Sequence, residues 1–556
     1  MTFEQSLNAQ ARVTAFERAI YPRNLAPATV SFSTHGHLLI VGSEDMIRLA
    51  AAQLPDMGSV TLLVTEAVRK QDDVHLAQAL SAVPELPLYH TPVQAVKGFL
   101  GQFQVMVNLD GQVVELAKLA QNRTVFDLIL DLGDAPLFQA ELAPAGYFHV
   151  APESQSLADV ISQLPEYVGE FEKPRYFQVN NDICAHSSRG QTGCTRCLDV
   201  CPADAITSIQ DLISIDPYLC HGAGGCATAC PTGAIRYALP QPTQLLGYIA
   251  KLLQSYQDAG GVQPVVLFYD HEQGRDIVDR VRTQLPDSWL AVEIEEVAAA
   301  GQEVWFSALA LGAQQVLLLD TPAVPESIRT LLNNETDLAQ MLLSGLSYNS
   351  QQIALTDEAG LVEPLPLCGL YQPPVAELAL SSDKREALFD ALDHLITHAP
   401  GALPDSLALP AGSPYGHVTV DNKDCTLCMS CVAVCPSQAL TDGGEKPALL
   451  FTEQNCVQCG LCERACPEDA IKLTPRLLLD DSRQQRVELM ADTPFECISC
   501  GAEFAPKRTI EKMLAKLSGH PYFQGDAIQR LKMCEDCRVK DIYSDLSANP
   551  EKQLEL

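Results

Sequence analysis

The sequence predicts a multidomain α/β chain interrupted by two small cysteine-rich modules and closed by a third cysteine-bearing unit. Three observations carry this. The 556 residues exceed what one hydrophobic core can enclose, so several domains are expected. Short apolar runs alternate with helical patterns in two separate stretches, as parallel sheets covered by helices require. The cysteines, 20 in all, mostly fall in tight groups.

Composition narrows the setting. With 47% hydrophobic and 19% charged residues, the chain is ordinary globular material. It has no run of about eighteen apolar residues to form a membrane-spanning helix. The start, Met1 to Ala11, is polar and lacks the basic and apolar regions of a secretory signal, so a cytoplasmic location is expected. There thiols stay reduced, and dense cysteines mean metal rather than disulfides. The net charge of −33 repels nucleic acid and anionic lipid, so binding to nucleic acid is not expected; with no spanning run, neither is insertion into a membrane. Solubility accounts for that charge as well as steering toward a basic partner does.

The elements follow in order. In residues 1–174, an N-terminal α/β domain, His37–Gly42 reads as a buried strand, Glu44–Leu54 as a helix and Ser59–Glu66 as a second strand. Phe103–Leu109 and Phe126–Leu132 are further strand candidates. Gly42-Ser43-Glu44 does not make a dinucleotide-binding glycine fingerprint, so a scaffold or docking role is expected. Residues 175–240 hold the first cysteine module. In residues 241–415 the alternation returns: Pro264–Asp270, Trp289–Glu295 and Gln315–Asp320 read as strands, with helices over 273–284, 302–312 and 325–345. The proline-rich stretch Tyr371–Tyr415 reads as a helix flanked by linkers. Residues 416–476 form the second module and 485–556 a metal-stapled tail.

In the second module Cys425-x2-Cys428-x2-Cys431-x3-Cys435-Pro436 recurs as Cys456-x2-Cys459-x2-Cys462-x3-Cys466-Pro467. Three thiolates on a tight loop reach three corners of one iron–sulfur cube. The fourth cysteine, a helical turn later, reaches the neighbouring cube, and proline ends the loop. One [4Fe-4S] cluster thus takes Cys425, Cys428, Cys431 and Cys466, and the other Cys456, Cys459, Cys462 and Cys435. Separate zinc-binding CxxC pairs would not require two matching runs that both end in Cys-Pro.

The first module bends this pattern. Cys194-x2-Cys197-x3-Cys201-Pro202 lacks the leading cysteine, whose place is Gln191. Cys184 stands upstream across a loop of small polar residues that can carry it to the vacant corner; otherwise it is an unligated thiol. The partner run is Cys220-x5-Cys226-x3-Cys230-Pro231, with Ala223 where a ligand belongs. One [4Fe-4S] cluster is expected on Cys184, Cys194, Cys197 and Cys230. Cys201, Cys220 and Cys226 are left to hold a [3Fe-4S] cluster or a [4Fe-4S] cluster with one open iron, or the site holds none.

In the tail, Cys497-x2-Cys500 and Cys534-x2-Cys537 supply four thiolates, suited to structural zinc, with a rubredoxin-like iron as the alternative. A helix over Thr509–Leu517 fills the gap between the pairs. Cys368 reads as a solitary buried thiol, and His186 and His221 as loop residues beside the cysteines. There is no nucleophile–base set and no phosphate-binding loop.

The cysteine runs resemble bacterial dicluster ferredoxins over about 185–235 and 420–472. The full fold class is therefore multidomain α/β with two ferredoxin-like (α+β) dicluster modules and a zinc-ribbon-like C-terminal unit. FEKPRYFQVNNDICAHSSRGQTGCTRCLDVCPADAI and ECISCGAEF…RLKMCEDCR resemble large iron–sulfur proteins associated with molybdenum formate dehydrogenases. LAVEIEEVAAAGQEVWFSALALGAQQVLLL is similar to the delta subunit of viologen-reducing hydrogenases, a partner-docking module, without that family's cysteines. These resemblances imply electron transfer to or from a cytosolic oxidoreductase, or a role in assembling such a metalloenzyme. An enzyme in its own right would need a substrate pocket at the open corner.

Overall fold

The computed structural model describes residues 6–24, 26–65, 86–151, 156–188, 190–363 and 370–548. Cys368 and Glu66, the last residue of an expected strand, lie outside them.

The first sheet grows from His37–Gly42, whose six residues are all buried. A strand covered on both faces must be apolar throughout, and this one is. Around it five parallel strands lie in the order Leu88–His90, Ser59–Val64, His37–Gly42, Leu128–Asp131, Tyr147–His149. Leu38 and Ile40 pack toward helix Glu44–Ala52. Leu39 and Val41 face the other way, onto Val105 and Val107 of a three-stranded antiparallel sheet, Val93–Lys97, Gln104–Leu109 and Gln112–Glu115.

The second sheet has four parallel strands in the order Trp289–Ile294, Val265–Asp270, Gln315–Leu319, Ile353–Thr356. Helix Gln273–Val281 covers one face. On the other face Val266, Phe268 and Leu318 join a large core with helices Pro242–Asp258, Gln302–Ala310, Glu326–Gly345 and Lys384–Thr397. The last of these is the helix expected in the proline-rich stretch. Ile353–Thr356 and Pro242–Asp258 were not anticipated.

Domain boundaries depart from the sequence expectation in two places. Helix Leu7–Arg18 falls within 1–174 but sends buried Ala11 and Ala15 into the core of the second α/β domain. Arg12 Nη1 donates to the Pro286 carbonyl at 3.0 Å, and Ser6 Oγ to Asp287 at 2.6 Å. The second module also spreads beyond 416–476. Ser406–Ala408 pairs with Ile471–Leu478, and Val487–Ala491 pairs with Ala448–Phe451, because these strands complete sheets whose edges the module alone would leave unpaired.

The two cysteine modules share an order of elements. In the first, Phe177–Val179 pairs with Ile235–Tyr237 around the hairpin Ile206–Ile209/Leu212–Ile215. In the second, Gly416–Val420 pairs with Ile471–Leu478 around Leu440–Asp442/Ala448–Phe451. One-turn helices sit in the cysteine runs: Arg196–Asp199 and Gly225–Ala229, then Ser430–Ala433 and Leu461–Arg464. The tail is a hairpin, Pro494–Glu496/Glu503–Pro506, followed by helices Lys507–Leu517, Asp526–Arg530 and Glu535–Ala548. Among the described residues no helix is long and apolar enough to cross a membrane.

Candidate metal centres

In the second module the fourth cysteine of each run crosses to the other. Cys425, Cys428, Cys431 and Cys466 line one cage. Cys435, Cys456, Cys459 and Cys462 line a second. In the first module Cys201, Cys220 and Cys226 line a third, together with Ala223.

Cys184 is carried back by the loop after it. Ser187–Ser188 pairs with Gln191–Thr192 in a miniature hairpin, and the Cys194 N–H donates to the Ala185 carbonyl at 2.9 Å. Gly193 permits this, because a Cβ there would stand 2.6 Å from the Ala185 oxygen. His186 braces the hairpin, one ring nitrogen 2.9 Å from the Cys194 carbonyl and the other 2.8 Å from Ser208 Oγ. Cys184, Cys194, Cys197 and Cys230 come together, since each of the first three thiols is raised by the charge of Cys230.

The backbone treats the irregular cysteines like the regular ones. The N–H two residues on points at the sulfur of Cys425 and of Cys456, and equally at that of Cys184 and of Cys220. The fourth cysteines match as well: Ala470 N–H donates to Cys466 Sγ at 3.3 Å and Ala205 N–H to Cys201 Sγ at 3.4 Å. Such donors stabilise negative sulfur.

Burial opposes the charge. It pushes the Cys197, Cys431 and Cys459 thiols up to about 12 and Cys220 to about 11, and neighbouring thiols add to the effect. Cages of buried thiols that disfavour their own anions are suited to a cation that would bind them as thiolates. Mutual effects also show which cages are neighbours. Cys462 feels Cys431, Cys459 feels Cys194, and Cys226 feels Cys197 and Cys230. The order is therefore the Cys425 cage, the Cys456 cage, the Cys184 group and the Cys220 cage.

The tail cysteines Cys497, Cys500, Cys534 and Cys537 offer sulfurs that all lie within 4.8 Å of one another. Burial alone would raise Cys497, but backbone N–H groups around Cys534, Cys500 and Ser499 pull it down to about 6. That donor set and spacing fit a single tetrahedral ion. Helix Lys507–Leu517 docks this unit on the second module: Thr509 bonds the Thr426 carbonyl and Arg508 the Asn422 carbonyl.

Sequence reasoning missed a set of cations that hold the cysteine loops from outside. Lys173 Nζ donates to the carbonyls of Tyr218 at 2.8 Å and Cys220 at 3.0 Å. Lys384 and Arg385 bind carbonyls at Cys230 and Cys456, and Lys512 binds that of Asp424. One signal was available: Lys384 and Arg385 open a helix, the end where the dipole repels cations. His221 lies beside the Cys220 cage, where burial, then the charge of Lys173, lowers its pKa. A larger open groove, lined by Tyr21, Tyr269, His271, Arg275 and Trp289 at the edge of the second sheet, has no cysteine in its wall.

Residues 424–471 match the model of the 4Fe-4S dicluster domain. A stretch of 55 residues is 38% identical to a 7Fe ferredoxin of Hydrogenibacillus schlegelii, covering 10% of this chain and 70% of that protein.

Proposed function

Because the chain belongs to the ferredoxin family through its 4Fe-4S dicluster domain, we propose that it is an iron–sulfur electron relay serving an oxidoreductase. The observation that carries this reading is the set of three cysteine-lined cages that, with the Cys184 group, stand each next to another. A bound [4Fe-4S] cluster takes up and returns single electrons. The chain's own residues do the rest. Cys425, Cys428, Cys431 and Cys466 hold one cluster; Cys456, Cys459, Cys462 and Cys435 the next; Cys184, Cys194, Cys197 and Cys230 the third. Cys201, Cys220 and Cys226 hold the fourth, where Ala223 offers no ligand and the site keeps three irons or leaves one iron open. Backbone N–H groups offset sulfur charge, and buried Leu427, Leu461 and Val200 keep water away. Cys497, Cys500, Cys534 and Cys537 hold zinc.

The partner is proposed to be a cytosolic oxidoreductase, with molybdenum formate dehydrogenase the candidate on sequence resemblance. Cys428 is exposed, so electrons enter or leave most readily at that end. Anaerobic purification with iron, sulfide and zinc analysis, and with co-purifying proteins identified, tests the reading. A stoichiometric complex with an oxidoreductase supports it. Binding only to an unassembled apo-enzyme would replace it with a maturation role, and iron-free protein would end it.

A further inference from the structure

The two modules meet backbone to side chain. Gly193, next to Cys194, touches Leu461, next to Cys462; a Cβ on Gly193 would lie 2.8 Å from Leu461 Cγ. This is the single step in the line where cysteines from different modules face each other. Helix Lys384–Thr397 reaches both sides of it with its first two residues. Lys384 Nζ donates to the carbonyls of Ala227 at 2.7 Å, Thr228 at 2.9 Å and Cys230 at 3.1 Å, in the first module. Arg385 turns to the second, donating from Nε to Gln454 at 2.5 Å, from Nη1 to Pro414 at 3.1 Å and from Nη2 to Cys456 at 2.7 Å. Phe389 and Tyr415 face its guanidinium at 5.0 and 5.6 Å.

Two like charges side by side, desolvated, at the repulsive end of a helix dipole, are unfavourable by each criterion. Glu303, 3.7 Å from Lys384 Nζ, answers one of them. Arg385 is hydrogen-bonded to backbone carbonyls, which are neutral. Asp383, the N-cap of the same helix, lies near Arg385 and Glu335 near Lys384. The thiolates and clusters on either side add further negative charge, since Cys230 and Cys456 are ligands of the two central sites in the proposed relay.

We propose that Lys384 and Arg385 are a paired positioning device that fixes the two modules across the Gly193–Leu461 junction and raises the reduction potentials of the two central clusters. This rests on the relay reading. A fixed cation beside a cluster favours its more negative, reduced form, so removing the cation lowers the potential. Lys384 acts on the cluster of Cys184, Cys194, Cys197 and Cys230, and Arg385 on that of Cys456, Cys459, Cys462 and Cys435.

The test uses the full chain, prepared anaerobically, with iron and sulfide content and redox titration followed by paramagnetic resonance. With R385Q, iron stays constant and one midpoint falls by a tenfold shift in the one-electron equilibrium, about 59 mV. R385K, which keeps the charge, restores most of it. K384Q shifts a different midpoint, and the double variant shifts both. Unchanged midpoints in R385Q and K384Q at full iron content overturn the proposal. Should R385Q lose iron, K384Q decides by the same readout; loss of iron in both makes the pair purely structural and also overturns it. Iron-free wild-type protein would instead defeat the relay reading, so the two failures are distinguishable.

Discussion

The second cysteine module keeps its ligands in two uninterrupted runs, while the first has a displaced cysteine and an alanine in a ligand position. Their surroundings differ in parallel. The second has a small core of its own, built from Val418, Leu427, Leu449, Phe451 and Ile471, and leaves Cys428 exposed. The first shares the large core of the second α/β domain: Cys197, Cys226 and Cys230 are buried with Ile249, Trp305 and Leu332. Even its loop glycines are walled in, since a Cβ on Gly224 would stand 2.4 Å from the Ala299 nitrogen and one on Gly225 2.5 Å from Ile328 Cδ1. Both modules are gripped from outside, but only the second has a core of its own, and it is the one that keeps the regular motif. The first shares its core with a larger domain that walls in its loops, and there the ligand pattern has changed.

Removing one ligand from each module should break the symmetry most visibly. C431S and C184S each lose one cluster's iron, but hydrogen exchange rises across residues 406–491 in C431S, whereas in C184S the neighbouring domains keep the first module protected. Equal loss of protection would defeat the comparison. A223C asks whether the alanine is a vacated ligand. It should raise iron content and abolish the resonance of an oxidised [3Fe-4S] cluster that mild oxidation produces in the parent. The same iron count and spectra in both proteins would show that residue 223 faces no iron. The smallest effect concerns the wall of the first module. Burial, then the charge of Asp270, raises Glu296 from 4.5 to about 7, just before the turn Val297–Ala299 that contacts Gly224. A carboxyl raised in the folded state favours folding below pH 4.5 and loses that contribution as pH climbs to 7, roughly 3 kcal/mol for such a shift. E296Q should flatten this slope in denaturant titrations between those limits; an unchanged slope would remove Glu296 from the account.

The second module was legible because every ligand and its spacing lie within one short stretch. The loop after Cys184 was legible only as a run of small polar residues; its miniature hairpin, Ser187–Ser188 with Gln191–Thr192, was not. The strand Ile353–Thr356 was not, because four residues are too few to display a period. The cations Lys173, Lys384 and Arg385 stand outside the cysteine runs they grip, and the only sign of them was that Lys384 and Arg385 open a helix. Spacing between cysteines says nothing about what grips the carbonyls behind them. For the same reason the partner of helix Leu7–Arg18 was invisible, standing far along the chain at Pro242–Asp258.

That helix has a consequence for the order in which the protein is made. Leu7–Arg18 is synthesised well before its docking surface, helix Pro242–Asp258 and the Pro286–Asp287 turn, which follows the whole first α/β domain and first cysteine module. Domains otherwise tend to fold as units from the N-terminus. Here the opening helix has to wait while its Ala11–Ala15 face lacks a partner, and it then fastens the two α/β domains together once the second exists. Completion of the molecule is therefore tied to the arrival of its middle, and fragments ending near residue 174 would carry that helix with nothing to hold it.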